Sequence, residues 1–209
     1  MAYDLQEQEQ IDSMKAFWQQ WGKLIGGAVL AISVGYLGYK GYGYYQAAQA
    51  SKAAVVFADV EQAAQTQDVA KVKSAAALLQ SDYAGTAYAA DAALLAAKVA
   101  FEKNDLATAQ TQLGWVVQNV KDESMVAVAH LRLATIQLDQ KHYDAAIAEL
   151  GQAHPSAFDA LFLDLKGDVH TGKGDKAAAR DAYKAALAKL VGESPNRQFI
   201  QTKLDALGG

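Results

Sequence analysis

Residues Leu163–Ala186 read LDLKGDVHTGKGDKAAARDAYKAA. Two helical patterns flank a Gly-Lys-Gly-Asp turn. Leu163, Gly167 and His170 recur at helical spacing before it, and Ala179, Tyr183 and Ala186 recur after it. A small residue at position 167 lets two antiparallel helices cross closely. Gly174 supplies the turn, and the larger Tyr183 fills the gap to the next helix pair. Such a pair cannot bury its apolar face alone and needs stacked neighbours.

The neighbours are present upstream. One unit offers Leu133, Ala134, Tyr143, Ala146, Leu150 and Ala153. The unit before it offers Ala97, Ala100, Asn104, Leu106, Ala109 and Leu113. A degenerate first unit offers Val60, Ala63, Val69, Val72 and Leu79. The equivalent alanines Ala109, Ala146 and Ala179 are 37 and 33 residues apart. That is close to the ~34 of a tetratricopeptide repeat, whose spacing the last unit matches best. The prediction is an all-α fold, a tetratricopeptide-repeat-like (TPR-like) α-solenoid with a C-terminal capping helix. Polar turns separate the helices at 66–68, 85–86, 103–105, 121–123, 140–142, 154–156 and 172–175, several with Asp or Ser at a helix N-cap. The cap is expected to start at Pro195, with Phe199, Leu204 and Leu207 inward and Arg197, Gln201 and Lys203 outward.

Composition agrees. The 209 residues are 52% hydrophobic, but much of that is alanine, and only two prolines interrupt. Mean hydropathy is -0.05, too low for a multi-span membrane protein. A net charge of -4 gives no support for nucleic-acid binding, which needs a basic face. Without cysteine there is no disulfide, thiolate metal site or cysteine nucleophile.

A second stretch stands apart. Trp21–Tyr45 reads WGKLIGGAVLAISVGYLGYKGYGYY. Leu24–Tyr39 carries no charge and is bounded by Lys23 and Lys40. As a helix it spans roughly 24 Å, short of a ~30 Å hydrocarbon core. The flanking rings make up the difference, because Trp21 to Tyr42 spans about 32 Å. Aromatic residues at both ends and snorkelling lysines are marks of an interface-anchored span. A cleaved signal peptide competes, since Ala48-Gln49-Ala50 resembles a cleavage site. The long acidic lead (Asp4, Glu7, Glu9, Asp12) and the tyrosine-rich exit argue against it. Gly22 and Gly26, and the series Gly27, Ala31 and Gly35, have the small-xxx-small spacing that lets a second helix dock in lipid, though glycine is also simply common in such helices. Lysines balance on the two sides, so charge does not set the orientation. The expected organisation is 1–20, a short amphipathic segment (Ile11, Met14, Phe17 and Trp18 on one face); 21–45, the span; and 46–209, the repeat domain.

No chemistry is expected. His130, His142, His154 and His170 are scattered without metal-ligand spacing. The Gly172–Asp175 run joins two helices and lacks the spacing of a phosphate loop. Asp164 and Asp168 share a helix face as a solvated or salt-bridged set; acid–base work would require a cleft with perturbed pKa values. No nucleophile motif is found. The chain reads as a non-enzyme without catalytic, cofactor-binding or metal-binding residues.

Several runs carry a family resemblance. They are Glu9-Gln10-Ile11-Asp12 with Lys15, Phe17-Trp18 and Gly22-Lys23; Leu131-Arg132-Leu133-Ala134; Asp164-Leu165-Lys166-Gly167-Asp168; Lys173-Gly174-Asp175-Lys176; and Ala179-Arg180 with Ala182-Tyr183. In this order the chain resembles the YfgM family of ancillary subunits of the bacterial SecYEG translocon. Residues 46–120 match in pattern only. The resemblance implies an inner-membrane, single-pass protein with a cytoplasmic N-terminus and a periplasmic repeat domain. It further implies association with SecYEG and with a PpiD-type periplasmic chaperone, and a role in handing newly translocated client proteins to folding factors. It carries over no catalytic residue. An envelope-assembly or cell-division scaffold of the same architecture is the alternative.

Overall fold

A computed structural model describes residues 2–190 and 194–208. Met1, Val191, Gly192, Glu193 and Gly209, which fall within the 1–20 and 46–209 segments, lie outside the described residues, as do the side chains of 2–6, Asp4 among them. The elements are α1 (Ala2–Gln65), α2 (Val69–Asp82), α3 (Ala87–Glu102), α4 (Leu106–Asn119), α5 (Glu123–Asp139), α6 (Tyr143–Glu149), a 3-10 turn (Ser156–Phe158), α7 (Asp159–Lys173), α8 (Lys176–Lys189) and α9 (Pro195–Ala206). No strand occurs among the described residues. Internal contacts group the chain into two compact units, 1–49 and 50–209.

The first unit is helix alone. Its apolar side chains, Leu24, Val29, Leu30, Ile32, Val34 and Leu37 among them, are exposed. The best 18-residue window of α1 has a mean hydropathy of 1.3, and none of it is buried. This is one helix long and apolar enough to cross a membrane.

The second unit is an array of helices, each packed on its chain neighbours. One device recurs four times. Gln67, Asn104, Lys141 and Gly174 all take positive φ, between 51° and 85°. The next residue's N–H donates five residues back each time: Asp68 to the Ala63 carbonyl (3.1 Å), Asp105 to Ala100 (2.8 Å), His142 to Gln137 (2.8 Å) and Asp175 to His170 (2.9 Å). That is the long hydrogen bond of a Schellman motif, which satisfies a carbonyl left over at a helix C-terminus. At three of the turns the aspartate then caps the next helix. Asp68 accepts from the Lys71 N–H, Asp105 from Thr108 and Asp175 from Ala178, at 3.0–3.1 Å. Four equivalent turns make four equivalent helix pairs, the first formed by the end of α1 with α2.

The core is built from small residues. On α3 the buried positions are Ala89, Ala90, Ala92, Ala93, Ala96, Ala97, Val99 and Ala100, spread around most of the helix. One side packs with Ala53, Val60, Val72, Ala76 and Leu79 of the first pair. The other packs with Ala109, Leu113, Val116, Ala129, Leu133 and Ile136. Farther along, Ala127, Ala134, Ala146, Leu150, Phe162 and Val169 form a third cluster, and Ala179, Tyr183, Ala186, Ile200 and Leu204 a fourth.

Two expectations need correction. The second helix of the third pair is cut short. The array has a break here, because α6 ends at Glu149 and Ala153 is exposed in the following turn. Gly151 and Pro155 do not extend a helix well, and the His154 ring stacks on Phe162 at 3.7 Å in the missing turn's stead. At α9, Leu204 and Leu207 pack inward as expected, but Ile200 takes the inward place expected of Phe199. Ile200 (2% exposed) and Leu204 (6%) point inward, whereas Phe199 is 62% exposed. Lys203, expected outward, reaches back to Asp164 (2.9 Å) and Asp168 (2.8 Å) of α7, and half-buried Arg197 donates to the Leu190 carbonyl at 2.6 Å. Two carboxylates on α7 need a cation, and meeting that need fixes the roll of the capping helix.

Candidate protein-interaction site

The repeat-packing residues converge at the α7–α8 crossing. Gly167 is buried against Tyr183, and a Cβ there would overlap the ring, reaching 2.8 Å from Cζ. Tyr183 is 2% exposed. Its hydroxyl donates to Asp168 Oδ1 at 2.8 Å and lies 3.2 Å from the Thr171 hydroxyl. Burial and the neighbouring Asp168 and Asp164 push the phenol's pKa well above its ordinary value. Ala179 and Ala186 are fully buried on the same helix. In the preceding pair Leu133 and Ala146 are core, while Tyr143 is half-buried and its ring faces Gly172, where a Cβ would meet Cε1 at 2.9 Å.

The acidic pair on α7 is a salt-bridged set and not a solvated face. Lys203 joins Asp164 and Asp168, and its ammonium lies 4.7 Å from the Phe199 ring centroid. Burial raises the pKa of Asp164, and Lys203 opposes the rise. A cation placed between two acids holds a helix but leaves neither acid free to exchange protons with a substrate. Three of the four histidines are likewise engaged in polar contacts: His130 Nδ1 with Glu149 at 2.6 Å, His142 with Gln137 at 3.0 Å, and His154 with Asp159 at 3.4 Å, whereas the buried Nδ1 of His170 has no hydrogen-bond partner among the described residues. The side chain of His170 is half-buried on α7. No cluster of three or more metal-ligating side chains occurs among the described residues.

On α1, Gly26, Gly27 and Gly35 have open space where a Cβ would stand, and Ala31 is exposed beside them. Gly22 differs. The Trp18 ring folds over it and would lie 3.1 Å from a Cβ added there, so the indole already covers that spot.

Several clefts open on the repeat unit, and two of them bear on the site. One, about 910 Å³, lies between the end of α1 and α2, lined by Val56, Asp59, Ala63, Ala75 and Leu78 among others. The other is smaller, about 230 Å³, and more apolar. Ala97, Lys98 and Phe101 of α3, Leu113 of α4, and Arg132, Thr135 and Ile136 of α5 line it. Sequence reasoning passed over Arg132 as a site residue. The available signal was a cation directly before Leu133 and Ala134, which read as repeat-packing positions.

Comparison with known proteins agrees with this geometry. Residues 15–209 match the family described as a tetratricopeptide repeat-like domain. A Neisseria gonorrhoeae protein named ancillary SecYEG translocon subunit is 35% identical over 99% of this chain and 100% of its own length. Relatives of the same name from Haemophilus influenzae (30%, 99% of this chain and 100% of theirs) and Escherichia coli (28%, 96% of each chain) are also similar. No solved structure matches the chain.

Proposed function

Because the chain belongs to the tetratricopeptide repeat-like family that includes the ancillary SecYEG translocon subunits, we propose that it is a membrane-anchored, non-enzymatic adaptor of the Sec translocon. One observation carries the reading most. A single helix with an exposed, uncharged apolar stretch precedes a helical-repeat domain in this chain, and the chain aligns with a relative of that name over that relative's full length. Solenoids of this kind offer long surfaces for polypeptide partners.

In this reading residues 1–20 stay in the cytoplasm, 21–45 span the inner membrane, and 46–209 work in the periplasm. The open side of α1 at Gly26, Gly27, Ala31 and Gly35 docks on a membrane helix of the translocon, with Gly22 closed off by Trp18. The repeat domain then meets a PpiD-type chaperone and passes on newly translocated clients. Protease protection of a C-terminal tag in spheroplasts tests the orientation. Photo-crosslinkers at Gly26 and Gly35 test the docking. Crosslinks to translocon subunits are expected, and a tag degraded only from the cytoplasmic side, or crosslinks to lipid alone, would overturn the corresponding step.

A further inference from the structure

The α3–α4–α5 pocket holds a charge that the fold does not neutralise. The Arg132 guanidinium is half-buried at its wall, and burial lowers its pKa with no acid acting against that shift. A guanidinium has five N–H donors. Arg132 uses one bond, Nη1 to the Leu94 carbonyl at 2.9 Å, and among the described residues no carboxylate pairs with it. The acids of α3 are otherwise placed. Glu102 meets Lys98 at 3.8 Å, and Asp91, half-buried on α3, has its pKa raised by burial alone. Buried charge without an opposite partner is costly. Leu131, Leu133 and Ala134 beside it are explained by packing, whereas Arg132 is not.

The pocket's size and lining define what would pair with it. Ala97, Leu113 and Ile136 form an apolar floor, and Phe101, 38% exposed, forms a wall. At about 230 Å³ it falls below the ~300–1,000 Å³ of small-molecule sites and suits one side chain. We propose that this pocket is a peptide-docking site for an acidic–apolar motif of a partner polypeptide: one large apolar side chain enters the pocket and the carboxylate of an adjacent Asp or Glu pairs with Arg132. Lys98, also in the lining and 3.8 Å from Glu102, adds a weaker attraction for the acid. Planar guanidinium suits a two-oxygen carboxylate better than an ammonium would. The site rests on the adaptor reading and supplies its recognition chemistry.

The test uses the full chain in mild detergent and a fluorescent peptide, Gly-Ser-Phe-Asp-Leu-Ser-Gly, blocked at both ends, read by anisotropy. Saturable binding is expected. Changing the peptide's Asp to Asn, or Arg132→Met in the protein, should weaken it by about tenfold or more, the scale of one desolvated charge-assisted contact. Thr135→Phe, which fills the pocket and keeps the arginine, should weaken it as much. Arg132→Lys should recover part of the loss, and Lys184→Met, on the far helix α8, should change nothing. Arg132→Met should fold with an unchanged or higher melting temperature, since it removes an uncompensated charge. Equal binding by folded Arg132→Met, equal binding of the Asn peptide, or no binding to the unmodified chain overturns the proposal. Tighter binding of an acid-free peptide with an unblocked C-terminus also overturns it, by assigning the site to chain ends. SecYEG co-purification is measured separately. Its absence with the unmodified chain counts against the adaptor reading alone, and its presence with failed peptide binding counts against this site alone.

Discussion

Gly167 and Tyr183 offer the sharpest test of how the array is held together. The Gly167→Ala change adds one methyl group directly into the Tyr183 ring. The ring has little room to yield, being 2% exposed and tied through its hydroxyl to Asp168 and Thr171. Overpacking of this kind costs roughly 1–3 kcal/mol. Alanine is also the better helix former by about 1 kcal/mol, so the net loss should be up to ~2 kcal/mol. Tyr183→Ala removes the ring and should cost about 3–5 kcal/mol, like other buried aromatic truncations. In the Tyr183→Ala background the obstacle is gone, and Gly167→Ala should become stabilising by up to about 1 kcal/mol. The sign therefore reverses, with a coupling of ~1–3 kcal/mol, within the range for residues in contact. Urea unfolding of the full chain in detergent, followed by far-ultraviolet circular dichroism, measures all four corners. Amide exchange along α7 and α8 localises the loss. An equal cost for Gly167→Ala in both backgrounds would refute the idea that this glycine exists to admit the ring.

Other expectations follow from the turns and ion pairs. Replacing Gln67 or Lys141 by Gly should raise stability by about 0.5–1 kcal/mol, because both hold positive φ without glycine's freedom. Gly174→Ala should lower it by ~1–2 kcal/mol; urea midpoints check all three. Lys203→Met strands Asp164 and Asp168 without their cation and should cost roughly 2 kcal/mol at pH 7. The pKa of Asp164 is already raised by burial, so its protonated form suits the fold; the penalty grows as pH rises through that pKa and shrinks in acid. Midpoints for Lys203→Met at pH 7 and pH 4.5 should therefore converge toward the parent protein in acid. Asp68 and Asp105 behave oppositely. The Lys71 N–H holds Asp68, and the Thr108 side chain together with its N–H holds Asp105, below the ordinary carboxylate value of 3.8, so their contribution is present above that pH and fades as pH falls through the lower native values. Asp105→Ala should lower stability at pH 7 and flatten the acid limb of the stability curve, read from midpoints between pH 2 and pH 5.

Much of the fold is legible because helix-pair packing uses residue types at fixed spacing. Gly167, Gly174, Ala179 and Tyr183 suffice to define the last unit, and Ala109 and Ala146 carry the register backward. The degenerate first unit is also real in three dimensions: Val60, Ala63, Val72 and Leu79 are all core. The short α6 escaped the pattern because Leu150 remains buried after the helix has ended, so the apolar signal outlasts the hydrogen bonding. The roll of α9 escaped because Phe199 and Ile200 are adjacent and either could have faced inward on hydrophobicity. A long-range ion pair from Lys203 to α7 settles the choice, and such a pair leaves no periodic trace in a single sequence. Arg132 escaped for a related reason, since its unpaired state is visible only once the neighbouring helices are in place.

The alanine core of α3 has a consequence for how this protein tolerates change. Alanine freezes no rotamers on burial, so packing seven of them asks little side-chain entropy of the chain. Each also contributes little apolar area, and the close approach of backbones supplies the attraction instead. Substitution is therefore asymmetric. There is almost nothing to delete at the alanine positions of α3, so damaging changes at those positions act by crowding, pushing helices apart, and only rarely by leaving a hole. The helix spacing, once set by a methyl group, leaves evolution room to alter the exposed faces far more freely than the buried ones.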